Sequence, residues 1–148
     1  MKQLILLRHA EAVPEHAAGD MARPLTPRGK QQVQLVAQSF VAQGIRPALA
    51  LVSPATRTKQ TAQLLANSLD NDLPIAVDHS LYLATDEQFV NTIASIPDDI
   101  HSILLVGHNP GISDLATSLD AKQANHQLPT AGFVVCQIPT QNWRNIRH

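Results

Sequence analysis

The sequence predicts an α/β protein, a three-layer sandwich in which helices cover both faces of a mostly parallel central sheet. Two observations support this prediction. Short apolar runs alternate with helical patterns along the chain, as in strands joined by crossover helices. Two helix-start signals also follow their apolar runs with almost no loop between. The chain of 148 residues fits a single compact domain spanning 1–148.

The predicted strands are short apolar runs bounded by polar or turn-forming residues. They comprise Gln3–Leu7, Ala48–Val52, Ile75–Val77, Ile103–Val106 and Gly132–Ile138, with a further short strand predicted around Trp143–Arg147.

The predicted helices begin at recognisable capping signals. Three of them pair an N-cap residue with proline at the first helical position, namely Thr26-Pro27, Ser53-Pro54 and Asn109-Pro110. The fourth begins with a capping box from Thr85 to Gln88. Gly44 is expected to end the first helix.

Charge is unevenly distributed, although the net charge is only −1. Eight of the eleven Lys and Arg residues lie in positions 1–59, and none lies between Gln60 and Ala121. This pattern fits either a solvated acidic face or a basic half that faces an anionic ligand. Aromatic residues make up only 3% of the chain and are not interleaved with basic ones, so we expect no nucleic-acid partner.

No apolar stretch is long enough to cross a membrane, and the N-terminal apolar run is interrupted by Arg8. We therefore expect neither a membrane partner nor a signal peptide. The one cysteine, Cys136, cannot form a disulfide within the chain and lies in an apolar run, where a buried thiol is the expected role. A cytoplasmic setting is the expectation that fits.

Four functional side chains follow predicted strands or their helix starts. Arg8 and His9 follow the first strand, while Arg57 and His108 follow the second and fourth. Because the carboxyl ends of parallel strands lie along one edge of a sheet, these residues are expected to converge.

Two arginines and two histidines suit chemistry on a phosphoryl group. The arginines supply permanent charge and bidentate donors, and one imidazole could attack phosphorus while the other, protonated, stabilises the transferring group. Asn109 could cap its helix, contact the ligand, or do both. The sequence carries no acidic cluster or nucleotide-binding loop to hold a metal ion, so neither metal nor cofactor is expected.

The chain resembles the histidine phosphatase superfamily, the phosphoglycerate-mutase-like enzymes, and within it the compact SixA-like phosphohistidine phosphatase branch. The matching motifs occur in order from position 4 to about 115: Leu7-Arg8-His9-Ala10-Glu11-Ala12, Arg23-Pro24-Leu25-Thr26-Pro27-Arg28-Gly29, Ser53-Pro54-Ala55-Thr56-Arg57-Thr58, Gln60-Thr61-Ala62 and Val106-Gly107-His108-Asn109-Pro110-Gly111. The resemblance implies that His9 is the phosphorylated nucleophile and that Arg8, Arg57 and His108 complete a phosphate pocket. It also implies that Arg23 lies near the rim, although a helix-entry packing role is equally compatible.

Two departures from the family pattern are informative. Ala10 stands where the signature usually has glycine, so the turn must avoid positive φ. Where many members have a Leu-x-Glu acid, this chain reads Leu81-Tyr82-Leu83. Glu11 could be a substitute acid at the pocket rim, or an ordinary exposed carboxylate.

The missing acid favours an easy leaving group. An alkoxide, with a conjugate-acid pKa of about 15–16, requires protonation, whereas imidazole has a reference pKa of about 6.5. The segments between motifs also leave no room for a large lid insertion, which suits a substrate on a protein surface.

The sequence therefore predicts a metal-independent phosphohistidine phosphatase that acts on a partner protein, such as a phosphotransfer domain or phosphocarrier. One alternative is a phosphatase of small phosphomonoesters. The other is a non-catalytic module that binds phosphoproteins.

Overall fold

The computed structural model describes residues 1–69, 72–119 and 127–146. Five strands form one sheet in the order β3-β2-β4-β1-β5. All neighbouring pairs are parallel except β1 and β5, which are antiparallel. The strands are β1 (Lys2–Arg8), β2 (Leu49–Val52), β3 (Ile75–Val77), β4 (Ser102–Gly107) and β5 (Phe133–Ile138).

Four α-helices are described: α1 (Pro27–Gln43), α2 (Thr56–Ser68), α3 (Asp86–Ala94) and α4 (Gly111–Leu119). Short 3₁₀ turns lie at Asp20–Ala22, His79–Leu81 and Trp143–Asn145. None of the helices in the described ranges combines the length and apolarity that a membrane crossing requires.

The alternation of side chains along β1 creates two cores, one on each face of the sheet. Leu4 and Leu6 pack in the core that α3 and α4 cover, whereas Ile5 and Leu7 pack in the core under α1 and α2. All four are fully buried. The predicted three-layer sandwich with a mostly parallel sheet is thereby confirmed, and Cys136 is buried in the first of these cores.

All five principal strands were predicted to within one residue at each end. The additional strand predicted around Trp143–Arg147 is wrong, because residues Trp143–Asn145 form a 3₁₀ turn. The Trp143 backbone N–H donates to Asp98 Oδ1, and its indole N–H donates to the Ile100 carbonyl. These bonds hold the segment against the loop before β4 instead of adding it to the sheet, and Arg147 lies outside the described residues.

The helix starts were predicted with mixed success. Thr26 caps α1 as expected, Gly44 ends it in the left-handed region at φ 68°, and the Thr85 capping box is present. The starts predicted at Ser53-Pro54 and Asn109-Pro110 are early by two residues and one residue, since α2 begins at Thr56 and α4 at Gly111. The Ser53 and Asn109 side chains make other contacts, which are described below.

The start of α1 presses against the turn that follows β1. A Cβ atom on Gly29 would lie 2.1 Å from the Glu11 carbonyl oxygen. In the same contact, the Thr26 N–H donates to that oxygen at 3.0 Å. Glycine at position 29 therefore lets the first turn of α1 pack directly on the segment that follows His9.

We expect Gly29→Ala to lower the free energy of unfolding by about 1–3 kcal/mol, since the added methyl group overlaps backbone and forces a shift. Helix propensity alone would change stability in the opposite direction, by about 1 kcal/mol. Urea denaturation measures the net effect, and Gln34→Ala, on an exposed position of the same helix, is the control. A Gly29→Ala protein as stable as wild type would contradict the close packing.

Candidate active site

The parallel pairing of β1 with β4 places His9 next to His108. Arg8 pairs with Gly107 in the sheet register, and the His9 N–H donates to the Gly107 carbonyl at 3.1 Å. On the other side, the His9 carbonyl accepts from Ala131 N–H at 3.0 Å. The two imidazole rings lie with their centroids 5.5 Å apart, and both side chains are buried.

Arg57 reaches the same place from the first turn of α2, directly after β2. Its Nη2 donates to His108 Nδ1 at 3.1 Å. The Thr61 hydroxyl joins α2 to the turn after β1, because it accepts from Ala10 N–H at 3.1 Å and donates to the Arg57 carbonyl at 2.7 Å. The sheet edge thus brings together all four residues that the sequence predicted to converge. Ala10 is buried and is not among the described residues with positive φ, so it fits this turn in place of glycine.

The hydrogen bonds of His9 fix its tautomer. Nδ1 lies 2.7 Å from the Ala10 carbonyl oxygen, which can only accept, so Nδ1 carries the proton and Nε2 carries a lone pair. Burial lowers the pKa of His9 to about 4, helped by the positive charges of Arg57, Arg8 and Arg23 and opposed by the bond to Ala10. The ring is therefore a neutral imidazole near pH 7, with Nε2 available as a nucleophile.

His108 is held in the opposite tautomer. Because Arg57 Nη2 can only donate, Nδ1 is the acceptor and Nε2 carries the proton, which it shares with Ser53 Oγ at 2.7 Å. Burial lowers the pKa of His108 to about 3, reinforced by the charge of Arg57. The sequence led us to expect a protonated second imidazole when a phosphoryl group is bound. In the site without a ligand, the His108 ring is neutral. Ser53 serves as its partner rather than as a helix cap.

Both pocket arginines retain a buried donor. Among the described residues, Arg8 Nε and Arg57 Nε are the two buried side-chain polar atoms without a hydrogen-bond partner. Burial lowers the pKa of Arg8, yet a guanidinium remains charged in proteins. An unpartnered buried donor costs about 1–3 kcal/mol, more when it is charged. An oxyanion bound between the arginines would supply the missing acceptors.

Asp20, which the sequence analysis did not single out, forms the outer wall of the site. Its backbone carbonyl accepts from Arg57 Nη1 at 2.9 Å, and its Oδ2 accepts from Arg57 Nη2 at 3.2 Å. Oδ1 accepts from Arg23 Nε at 2.9 Å, and the Tyr82 hydroxyl donates to Oδ2. The bond from Tyr82 and those from the two arginines lower the pKa of Asp20 to about 2, so the carboxylate is ionised.

Tyr82 stands where the family's acid is missing, with its ring edge-on to His108 at 5.7 Å between centroids. The bond to Asp20 raises the pKa of the Tyr82 phenol, which stays protonated. The sequence marked this position only as lacking a carboxylate. Neither the Tyr82–His108 contact nor the Asp20 network leaves a local sequence signal.

The remaining predicted residues have different placements. Arg23 lies at the rim, where its Nη1 donates to the Val13 carbonyl at 2.8 Å in addition to the bond with Asp20. The Glu11 carboxylate instead contacts the start of α1, where it accepts from Thr26 Oγ1 at 3.0 Å and lies 4.0 Å from Arg28 Nε. These contacts hold Glu11 against α1 rather than against the histidines.

Asn109 connects the start of α4 to the segment before β5. Its Nδ2 donates to the Leu128 carbonyl at 2.9 Å, and its Oδ1 accepts from the Ser113 hydroxyl. Arg8 Nη1 donates to the same Leu128 carbonyl at 3.0 Å. Asn109 therefore lies beside Arg8, with one amide N–H left for a ligand. Within the described part of the chain, no group of three or more His, Cys, Asp or Glu residues is arranged to hold a metal ion.

The comparisons with known proteins agree with this geometry. Residues 4–82 match the profile of the family described as histidine phosphatase superfamily (branch 1). The phosphohistidine phosphatase SixA of Escherichia coli K12 is 29% identical over 119 residues, covering 79% of this chain and 73% of that protein. A solved structure from Agrobacterium tumefaciens, provisionally named phosphohistidine phosphatase SixA, is 27% identical, covers 90% of both chains and superposes with a TM-score of 0.82.

The fold is also shared with a phosphatase of a small molecule. The mycobacterial glucosyl-3-phosphoglycerate phosphatase superposes with a TM-score of 0.73 over 99% of this chain and 95% of its own, at 16% identity. At that identity the likeness concerns the fold alone.

The chain therefore belongs to the histidine phosphatase superfamily, branch 1, and membership of this class supports a phosphatase activity. Within the superfamily, the chain is a member of the SixA-like branch.

We expect the His9 ring to titrate with a midpoint near pH 4 in the empty enzyme, because its lowered pKa keeps it neutral until the pH falls that far. Ring C–H chemical shifts followed by NMR from pH 8 to pH 3.5 measure this midpoint, and a His108→Gln variant separates the signal of His9 from that of its neighbour. Inorganic phosphate should move the midpoint upward, since an adjacent anion favours the charged ring. A midpoint near the ordinary 6.5 in the phosphate-free enzyme would contradict the tautomer and burial described for His9.

Proposed function

We propose that the chain is a metal-independent phosphohistidine phosphatase that dephosphorylates a partner protein through a covalent phospho-His9 intermediate. The observation that carries the proposal is the neutral, buried His9, whose Nε2 lone pair lies beside His108 and two arginines with unpartnered Nε donors. This combination supplies a nucleophile and the means to neutralise a phosphoryl dianion.

In the proposed first step, His9 Nε2 attacks phosphorus and the bond from phosphorus to the substrate's imidazole breaks, with its electron pair returning to that nitrogen. Water then attacks the phosphorus of phospho-His9, and the bond from phosphorus to Nε2 breaks with its electron pair returning to Nε2. Inorganic phosphate leaves, keeping one proton of the water on its new oxygen while the other passes to a second phosphoryl oxygen or to solvent. Throughout, Arg8 and Arg57 neutralise the phosphoryl oxygens, and the remaining Asn109 N–H donates to one of them. When the anion is bound, His108 gains a proton at Nδ1, the nitrogen that accepts from Arg57 in the empty site, and donates to the phosphoryl group through it. The Nδ1–H bond to Ala10 lets His9 leave as neutral imidazole in the second step.

The leaving group is inferred from the acids that surround the site. Asp20 is ionised by its contacts with Tyr82 and the arginines, and Tyr82 is a phenol whose pKa is raised further. Glu11 is held at the start of α1. None of these three is arranged as a ready proton donor, so the substrate that fits best is one whose leaving group departs without strong protonation. A phosphorylated imidazole is such a substrate.

A protein-borne phosphohistidine, on a phosphotransfer domain or a phosphocarrier, also fits the outline of the site. A cleft of about 610 Å³ lies beside Asp20 and Arg23 and is lined by residues of the 14–23 segment. We propose that the domain has no large lid insertion over the site. We also infer a cytoplasmic setting from the single Cys136, which has no second cysteine to pair with in the chain.

The second candidate is a phosphatase of small phosphomonoesters. The superfamily match does not distinguish it from the first candidate, and the same four pocket residues would serve. It requires a proton donor for an alkoxide, which the described contacts of Glu11, Asp20 and Tyr82 do not provide. A non-catalytic binding module is disfavoured because binding alone does not require His9 to present a free Nε2.

His9→Ala should abolish the phosphoenzyme and lower turnover at least about a thousandfold, because the covalent route is lost. Trapping of radiolabelled phosphate from a panel of phosphohistidine proteins measures the intermediate. His101→Ala, which removes an exposed histidine near Lys2 beyond the amino end of the sheet, is the matched control. Label that persists on His9→Ala would show that another residue is the nucleophile.

Turnover of a phosphohistidine protein should exceed that of an alkyl phosphate by several orders of magnitude and should be unchanged by chelator. Steady-state rates on phosphohistidine protein, aryl phosphate and alkyl phosphate, with and without EDTA, measure both expectations. Preference for the alkyl phosphate would favour the second candidate, and loss of activity with EDTA would overturn the metal-independent mechanism.

A further inference from the structure

The Asp20 carboxylate is accessible and has spare capacity to accept. Its side chain is 46% exposed, whereas that of its partner Arg57 is only 2% exposed. An ionised carboxylate offers about four acceptor sites, and three are taken by Arg23, Arg57 and Tyr82. One lone pair, on Oδ1, is therefore left for a further donor.

The position of Asp20 relative to the pocket is also defined. Arg57 Nη2 contacts both Asp20 Oδ2, at 3.2 Å, and His108 Nδ1, at 3.1 Å. Asp20 and His108 therefore contact the same guanidinium nitrogen, with Asp20 on the exposed side of Arg57. A leaving group on a phosphoryl group that contacts Arg57 and His108 would lie within reach of the Asp20 carboxylate.

The proposed substrate carries a donor that suits this place. The leaving imidazole is neutral only if its second nitrogen, the one not bonded to phosphorus, already carries a proton. That N–H lies on the side of the ring away from phosphorus. A carboxylate that accepts from it favours the protonated ring and so activates the leaving group.

His9, the proposed nucleophile, has an equivalent arrangement: one ring nitrogen is free to bond phosphorus, and the other carries a proton that an acceptor holds. The Nδ1–H of His9 donates to the Ala10 carbonyl at 2.7 Å, leaving Nε2 to bond phosphorus. In a transfer from one imidazole to another, each ring needs an acceptor for its distal N–H. Ala10 supplies the acceptor on the enzyme's side, and an equivalent acceptor is needed on the substrate's side.

We propose that Asp20 is the specificity-determining residue of the site: its carboxylate accepts a hydrogen bond from the distal N–H of the substrate's phosphoimidazole, and thereby selects phosphohistidine over phosphoesters. The proposal rests on the proposed function. When the phosphorus–nitrogen bond breaks, its electron pair returns to the ring nitrogen, the distal proton stays in place, and neutral imidazole departs.

The test compares two small substrates, phosphoimidazole and p-nitrophenyl phosphate, with wild-type enzyme and Asp20→Asn. The variant should lower kcat/KM for phosphoimidazole at least about tenfold, since it loses a charge-assisted hydrogen bond. For p-nitrophenyl phosphate, the loss in kcat/KM should be several times smaller, because that leaving group has no N–H and Arg57 keeps its bond to the Asp20 backbone carbonyl. Asp20→Glu, which keeps the charge, should recover part of the loss on phosphoimidazole.

The control is Asp99→Asn, which removes the same charge from an exposed position near the opposite edge of the sheet and should change neither substrate. Equal losses on both substrates with Asp20→Asn would show that Asp20 only positions Arg57, and no loss on either would show that it takes no part; both results overturn the proposal. A wild-type enzyme that hydrolyses p-nitrophenyl phosphate but not phosphoimidazole would overturn the proposed function, and this inference with it.

Discussion

The parallel pairing of β1 with β4 is the constraint on which the site depends. The two strands run side by side from Gln3–Ser102 to Arg8–Gly107, and the His9 N–H extends the ladder by one more bond to Gly107. The strand pairing therefore sets the separation of His9 and His108 through the backbone alone, independently of side-chain contacts. A shift of one residue in this register would turn the apolar side chains of β1 to the opposite faces, so the two cores also hold the active-site geometry in place.

The second general feature of the site is an excess of positive charge, because Arg8, Arg23 and Arg57 face, among the described residues, a single carboxylate, that of Asp20. Arg57 is buried, and its charge is offset by the exposed Asp20. The two histidines respond by staying neutral, because burial and the nearby guanidinium groups disfavour a further proton. Both Nε donors of the pocket arginines remain unpartnered. An arrangement of this kind gains stability when an anion binds, and the anion in turn raises the pKa of the imidazoles that contact it.

Much of this could be predicted from the sequence, because the informative patterns are local. Apolar runs identify buried strands, and the carboxyl ends of parallel strands lie at the same edge of the sheet. These two rules were enough to predict that Arg8, His9, Arg57 and His108 lie close together. The roles of Ser53 and Asp20 could not be predicted in this way. Ser53 followed by proline has the local pattern of a helix cap, and its partner His108 lies 55 positions away. Asp20 begins a short 3₁₀ turn without apolar periodicity, 37 positions from Arg57.

The hydrogen bonds of the two histidines also explain how one pocket can hold two imidazoles in different roles. His9 donates through Nδ1 to a carbonyl and keeps Nε2 free, whereas His108 donates through Nε2 to Ser53 and accepts from Arg57 through Nδ1. Exchanging these tautomers would place a hydrogen on His9 Nε2, the nitrogen that attacks phosphorus in the proposed mechanism, and would set an N–H of His108 against an arginine N–H. The difference between the two rings, on which the proposed roles of nucleophile and stabiliser rest, therefore does not depend on different burial, since both rings are buried. It follows from which neighbour can only accept, the Ala10 carbonyl, and which can only donate, the Arg57 guanidinium.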